Sequence, residues 1–144
     1  MTDEYYMRLA LAEAQKAYDA DEVPIGAIIT GADKILAKAW NQSELLQDPT
    51  AHAEMLAITS ACNSLGAKYL EDCTLYVTVE PCAMCAGAIF WSQLSRLVFG
   101  AYEPKSGFYT RKLDILLDKT IITRGILESE SASLMKSFFK AKRK

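Results

Sequence analysis

The sequence predicts an α/β fold, with a central sheet of five strands covered by helices on both faces. Three observations predict it. Apolar spacing switches repeatedly between helical and strand-like periods along the 144 residues. Segments of the two kinds alternate, which favours a sheet sandwiched between helices. About half of the residues (51%) are apolar, enough to bury both sheet faces in one domain over residues 1–144.

Taken in order, Asp3 to Ala20 reads as an amphipathic helix with Met7, Leu11, Ala14 and Tyr18 on one face. Val23-Pro24 ends it. Ile25 to Thr30 and Ile35 to Trp40 read as strands, and the short Gly31-Ala32-Asp33-Lys34 turn makes them a hairpin. Asp48-Pro49 starts the next helix, with Asp as N-cap and Pro in the first turn, and Gly66 stops it. Thr74 to Val79 alternates Leu75, Val77 and Val79 with Tyr76 and Thr78, a strand. Pro81 opens a third helix that runs to Gln93. Then follow a strand from Arg96 to Ala101, a short helix from Arg111 to Leu117, a strand from Thr120 to Arg124 and a last helix from Glu128 to Ala141. Trp40 and Trp91 fall at element ends, where buried tryptophans are common.

Composition narrows the function classes. There is no run of roughly 18 apolar residues, so no membrane span is expected. The start Met1-Thr2-Asp3-Glu4 is acidic and polar, unlike a secretory signal, and a cytoplasmic protein is expected. In that compartment the four cysteines argue for metal binding or free thiols rather than disulfides. A net charge of −2 excludes a generic polyanion binder. Basic residues nevertheless gather at the end, at Lys136, Lys140, Lys142, Arg143 and Lys144. Such a run either docks phosphates or simply complements a helix C-terminus.

The chemistry lies in two short runs, Thr50-Ala51-His52-Ala53-Glu54 and Glu80-Pro81-Cys82-Ala83-Met84-Cys85. His52, the only histidine, and the two thiols Cys82 and Cys85 make three borderline-to-soft ligands for one Zn²⁺ per chain. Three protein ligands leave the fourth tetrahedral position to water, the mark of a catalytic rather than a structural zinc. Glu54, two residues past the histidine, is placed to shuttle protons. Both runs sit at helix N-termini, where the dipole favours thiolates, and at one end of the sheet, where α/β folds bind ligands. Cys62 and Cys73 read as small buried residues, not as further ligands. A zinc-stabilised RNA-binding module without catalysis would need no carboxylate beside its histidine, so Glu54 argues for an enzyme.

H-x-E followed by P-C-x-x-C is the established signature of zinc nucleobase deaminases, and this sequence matches it. The residues resemble the cytidine deaminase superfamily and, within it, the bacterial tRNA adenosine deaminases. The likeness runs from Glu22-Val-Pro-Ile-Gly-Ala27 through Asp48 to Glu54 and Leu75 to Cys82 to Val98-Phe-Gly-Ala101. It implies a three-layer α/β/α fold with a five-stranded mixed sheet, and hydrolytic conversion of adenosine to inosine at the tRNA wobble position. It also implies a homodimer, a base contact from Asn41, and support of the base by Ala53 and Pro81. The anticodon arm would meet Phe138, Phe139, Lys142 and Arg143 of the last helix, with Glu103 and Lys105 in the loop before it. After Ala101 the sequence departs from the tRNA enzymes, reading Tyr102-Glu103-Pro104-Lys105-Ser106-Gly107. Ile89-Phe90-Trp91 is similar to the free-base branch, so deamination of guanine, then cytosine or cytidine, is the alternative.

Overall fold

The computed structural model describes residues 1–143. The elements run α1 (Asp3–Asp19), β1 (Gly26–Gly31), β2 (Lys34–Trp40), α2 (Ala53–Leu65), β3 (Cys73–Val79), α3 (Ala83–Ser92), β4 (Arg96–Ala101), β5 (Ile121–Arg124) and α4 (Glu128–Lys142). The sheet order is β2-β1-β3-β4-β5. β1 is antiparallel to β2 and β3, whereas β3, β4 and β5 are parallel, so the sheet is mixed as expected.

Strand alternation divides the core. Ala27, Ile29, Leu75, Val77, Leu97 and Phe99 face α2 and α3. Ile28, Tyr76 and Val98 point the other way, to Tyr6, Met7 and Ala10 of α1. Both faces are covered, and the central strands are therefore apolar almost without interruption.

Glycine brings the helices close to the sheet. A Cβ on Gly26 would lie 2.0 Å from the Ala10 carbonyl oxygen, and one on Gly100 would lie 2.7 Å from Ser131 Oγ. Contact this close needs a small stripe. The buried face of α1 is accordingly Ala10, Ala14 and Ala17 with Tyr6 and Met7, and the expected Leu11 and Tyr18 are only half-buried.

Three local expectations change. α2 begins at Ala53, not at Pro49, because Asp48 spends its carboxylate on a turn, accepting from the Thr50 amide at 2.8 Å and hydroxyl at 2.7 Å. Residues 111–117 form no helix, because Lys112 adopts a left-handed φ of 59° and the chain then extends. Leu113, Ile115 and Leu116 pack singly against the core instead. Trp91 is 75% exposed, since α3 turns Ile89 inward and Trp91 outward. Gly66 ends α2 as expected, in the left-handed conformation.

One polar clasp joins α1 to the parallel half of the sheet. Arg96 donates to both Asp3 oxygens, at 2.7 and 2.6 Å, and to Thr123 Oγ1 at 2.9 Å. The Arg96 hydrogen bonds hold the Asp3 carboxyl below its ordinary range. A carboxyl depressed in the folded state stabilises above its unfolded value, about 3.9, and loses that contribution as pH falls through the folded value. Asp3→Asn should therefore cost about 1 kcal/mol at neutral pH, with the gap to wild type closing in acid. Urea unfolding at neutral and acid pH checks this; a gap of equal size at both would remove the charge from the explanation.

Candidate active site

Register brings three loops to one end of the sheet. Gly26 pairs with Trp40, Ala27 with Val77, and Val79 with Ala101. The chain leaves that edge into Asn41, into Glu80-Pro81-Cys82 and into Tyr102.

His52 and Cys82 are each the N-cap of a helix, in extended backbone, and neither side chain caps its own helix. They turn toward each other instead. His52 Nδ1 lies 3.7 Å from Cys82 Sγ and 3.5 Å from Cys85 Sγ. The three ligand atoms lie within 4.8 Å of one another, a group that can hold a metal ion. The Cys85 thiol and His52 beside it lower the Cys82 thiol to about 4, favouring thiolate. The same hydrogen bond, together with burial, pushes Cys85 upward. The bond to Cys82 raises His52.

Glu54, in the first turn of α2, is buried, and its Oε1 finds no hydrogen-bond partner among the described residues. Burial raises its carboxyl to about 7, against an opposing pull from His52. A buried carboxyl oxygen without a partner is costly to maintain and is common where an incoming group supplies the contact. A metal-binding triad beside a proton-accepting group poised near neutrality can carry out hydrolysis.

A profile of the MafB19-like deaminase family matches residues 1–143. This chain belongs to that family. The tRNA-specific adenosine deaminase of Aquifex aeolicus is 45% identical, covering 97% of this chain and 95% of the relative. A solved structure from work on A-to-I editing by tRNA:A34 deaminases at the wobble position has a TM-score of 0.85 at 40% identity, covering 90% of this chain and 98% of its own. The guanine deaminase of Bacillus subtilis has a TM-score of 0.70 at 32% identity, with coverage of 97% and 95%.

Around this deaminase centre the other candidate residues are distributed unevenly. Asn41 is buried, and the Gln42 amide donates to the Ala51 carbonyl at 3.0 Å, tying the Asn41 loop to the approach to His52. Ala53 and Pro81 are buried beside the triad, Ala53 opening α2 and Pro81 preceding Cys82. Phe138 turns inward and packs edge-on against Tyr18, so only Phe139, 42% exposed, offers a ring on α4 to solvent. Lys142 pairs with Asp21, and Arg143 Nε donates to the Phe139 carbonyl. Glu103 is occupied by its own loop, Oε2 accepting from the Lys105 amide and from the Ser106 amide and hydroxyl. Lys105 is exposed on that loop. Lys144 lies outside the described residues. Cys73 is buried as expected, Cys62 is half-buried, and neither joins the triad.

Two residues with a structural part in the site are given no role by the sequence, although both lie in runs that carry the family resemblance. Glu22, 1% exposed, accepts from the Glu44 and Leu45 amides at 3.0 and 2.6 Å and so holds the loop after Asn41. Glu80, 3% exposed, does the same for the loop after β4. Acidic residues are usually exposed, and nothing local marks these two as buried.

Proposed function

We propose that this chain is a zinc-dependent deaminase that converts adenosine to inosine at the wobble position of tRNA. The carrying observation is the His52-Cys82-Cys85 group together with the buried, orphaned Glu54 oxygen two residues past His52. Tetrahedral zinc, with bonds of about 2.3 Å to sulfur and about 2.0–2.1 Å to nitrogen, places such atoms about 3.6 Å apart. The His52–Cys distances of 3.7 and 3.5 Å fit that spacing. The similarity to tRNA-specific adenosine deaminases at 45% identity supports the substrate.

Zinc held by these residues would supply the polarisation that makes water nucleophilic at neutral pH. Glu54 would take one proton from the attacking water and give it to the ring nitrogen, then take the remaining hydroxyl proton and give it to the leaving amine as the carbonyl forms. The carbon bearing the amino group gains the oxygen, the C–NH₂ bond breaks, ammonia departs and a carbonyl remains. Asn41 pairs with the base edge, while Ala53 and Pro81 wall the base against the triad. Phe139, Lys105, Lys142 and Arg143 face the nucleic acid, with loop residues ordered by Glu103. We place the chain in the cytoplasm, where tRNA is available as its substrate.

The chain works as a homodimer through the outer face of α3. That helix has no charged residue, and its exposed side carries Ala83 and Trp91, with Phe90 edge-on to Trp91. A tryptophan left 75% exposed on an uncharged helix is typical of a covered surface. Trp91→Glu should halve the mass seen by light scattering without changing the fold by circular dichroism. A wild type that runs as a monomer would end this assignment.

The substrate is tested by incubating the zinc-loaded protein with an anticodon stem-loop and, separately, with guanine. Inosine in the stem-loop is the expected result. Ammonia from guanine with no inosine formed would favour the free-base reading, which the 32% identity to a guanine deaminase keeps as the second choice.

A further inference from the structure

Glu80 stands between the last residue of β3 and Pro81-Cys82, and its carboxyl group faces protein on every side. No cation pairs with it among the described residues. Its partners all come from one loop. Oε1 accepts from the Glu103 amide at 2.9 Å and the Thr110 hydroxyl at 2.6 Å, and Oε2 accepts from the Thr110 amide at 2.7 Å. Its own amide donates to the Ala101 carbonyl at 2.8 Å. The next two residues continue the clasp: the Phe108 amide donates to the Pro81 carbonyl at 2.9 Å, and Cys82 bridges to Gly107. A Cβ on Gly107 would fall 2.2–2.3 Å from the Glu80 carboxyl atoms, so the loop backbone lies directly on that group. Such donors offset the cost of burying a carboxyl group that has no counter-ion.

The clasped loop lies against the Pro81-Cys82 segment that leads into the His52-Cys82-Cys85 group. It presents Tyr102 and Tyr109, each 37% exposed, and Lys105. The Arg124 guanidinium lies 4.5 Å from the Tyr109 ring centroid and reaches the Tyr102 hydroxyl at 3.4 Å. Aromatic faces beside cations suit stacked bases and phosphates.

We propose that Glu80 is a positioning residue that fixes the Tyr102–Thr110 loop against the Pro81-Cys82 segment, and through it sets how nucleotides flanking the reacting base are engaged. This rests on the tRNA reading above. Glu80 touches neither base nor metal; it acts through the loop.

Two variants test it in the zinc-loaded protein: Glu80→Gln, which keeps the shape and loses acceptors, and Thr110→Val, which removes one donor far in sequence from the metal ligands. Both should raise KM for an anticodon stem-loop roughly tenfold, with kcat within about twofold of wild type, because misplaced contacts weaken engagement more than chemistry. Zinc content should be unchanged. Amide hydrogen exchange at Glu103 and Thr110 should quicken in Glu80→Gln. Unchanged KM in both variants would overturn the proposal. So would zinc loss in Glu80→Gln beside a Thr110→Val of wild-type KM, since Glu80 would then act on the ligand segment. If the wild type forms no inosine, the tRNA reading fails separately. Exchange then decides the loop's dependence on Glu80, and unchanged rates at Glu103 and Thr110 would overturn it.

Discussion

Replacing Glu54 by Gln is expected to lower turnover by about 10²–10⁴-fold, the usual worth of a positioned proton shuttle. Zinc content should stay at wild-type level, because Glu54 is not among the His52-Cys82-Cys85 donors. The melting temperature should not fall. The Glu54 carboxyl is buried with Oε1 unpartnered, so the protein gives up stability to keep it there. Its raised value, about 7, places the group between accepting and donating a proton near neutral pH. An amide of the same shape cannot exchange that proton. Glu54→Gln with turnover near wild type would remove Glu54 from the reaction.

Cys85→Ala should remove metal and activity together. Cys85 is fully buried in the first turn of α3, 3.5 Å from His52 Nδ1, and no other cysteine is placed to replace it. Zinc measured by elemental analysis should drop from about one per chain to near zero after dialysis against a chelator. Added zinc should raise the melting temperature of wild type and leave that of the variant unmoved, since a ligand stabilises only a fold that binds it. The pair of variants separates roles: Glu54→Gln keeps zinc and loses turnover, whereas Cys85→Ala loses both. Stoichiometric zinc in Cys85→Ala would mean that the metal sits elsewhere.

Much of the architecture was legible because it follows from local periodicity. The alternation of Leu75, Val77 and Val79 with Tyr76 and Thr78 reads as a strand, and β3 sends Leu75 and Val77 toward α2 and α3 and Tyr76 toward α1. The triad was legible for a different reason. A bound metal needs particular donor atoms, and only one histidine and one C-x-x-C pair supply them. The departures fall where a local turn or the packing of remote elements overrides the pattern of a short run. Asp48 has the chemistry of a helix cap, but its carboxylate serves a local turn and His52 becomes the N-cap. Arg111 to Leu117 has helical composition, yet Lys112 turns left-handed and the apolar residues are drawn one by one into the core. Phe138 and Phe139 are indistinguishable in sequence, and only the packing of α4 on α1 sends the first inward.

The sequence by itself determined the order of every element except the expected helix at 111–117, and it pointed to the candidate donor set with an acid beside it, because periodicity and ligand chemistry are properties of short runs. Tertiary structure alone decided which surfaces surround that chemistry. Gly26 and Gly100 let helices lie against the sheet at distances no pattern announces. Glu22 and Glu80 are buried because backbone amides from remote loops converge on them. Trp91 is exposed because neighbouring Ile89 takes the core-facing side of α3. Each of these depends on where non-adjacent backbone comes to lie, and that is set only when the whole chain packs.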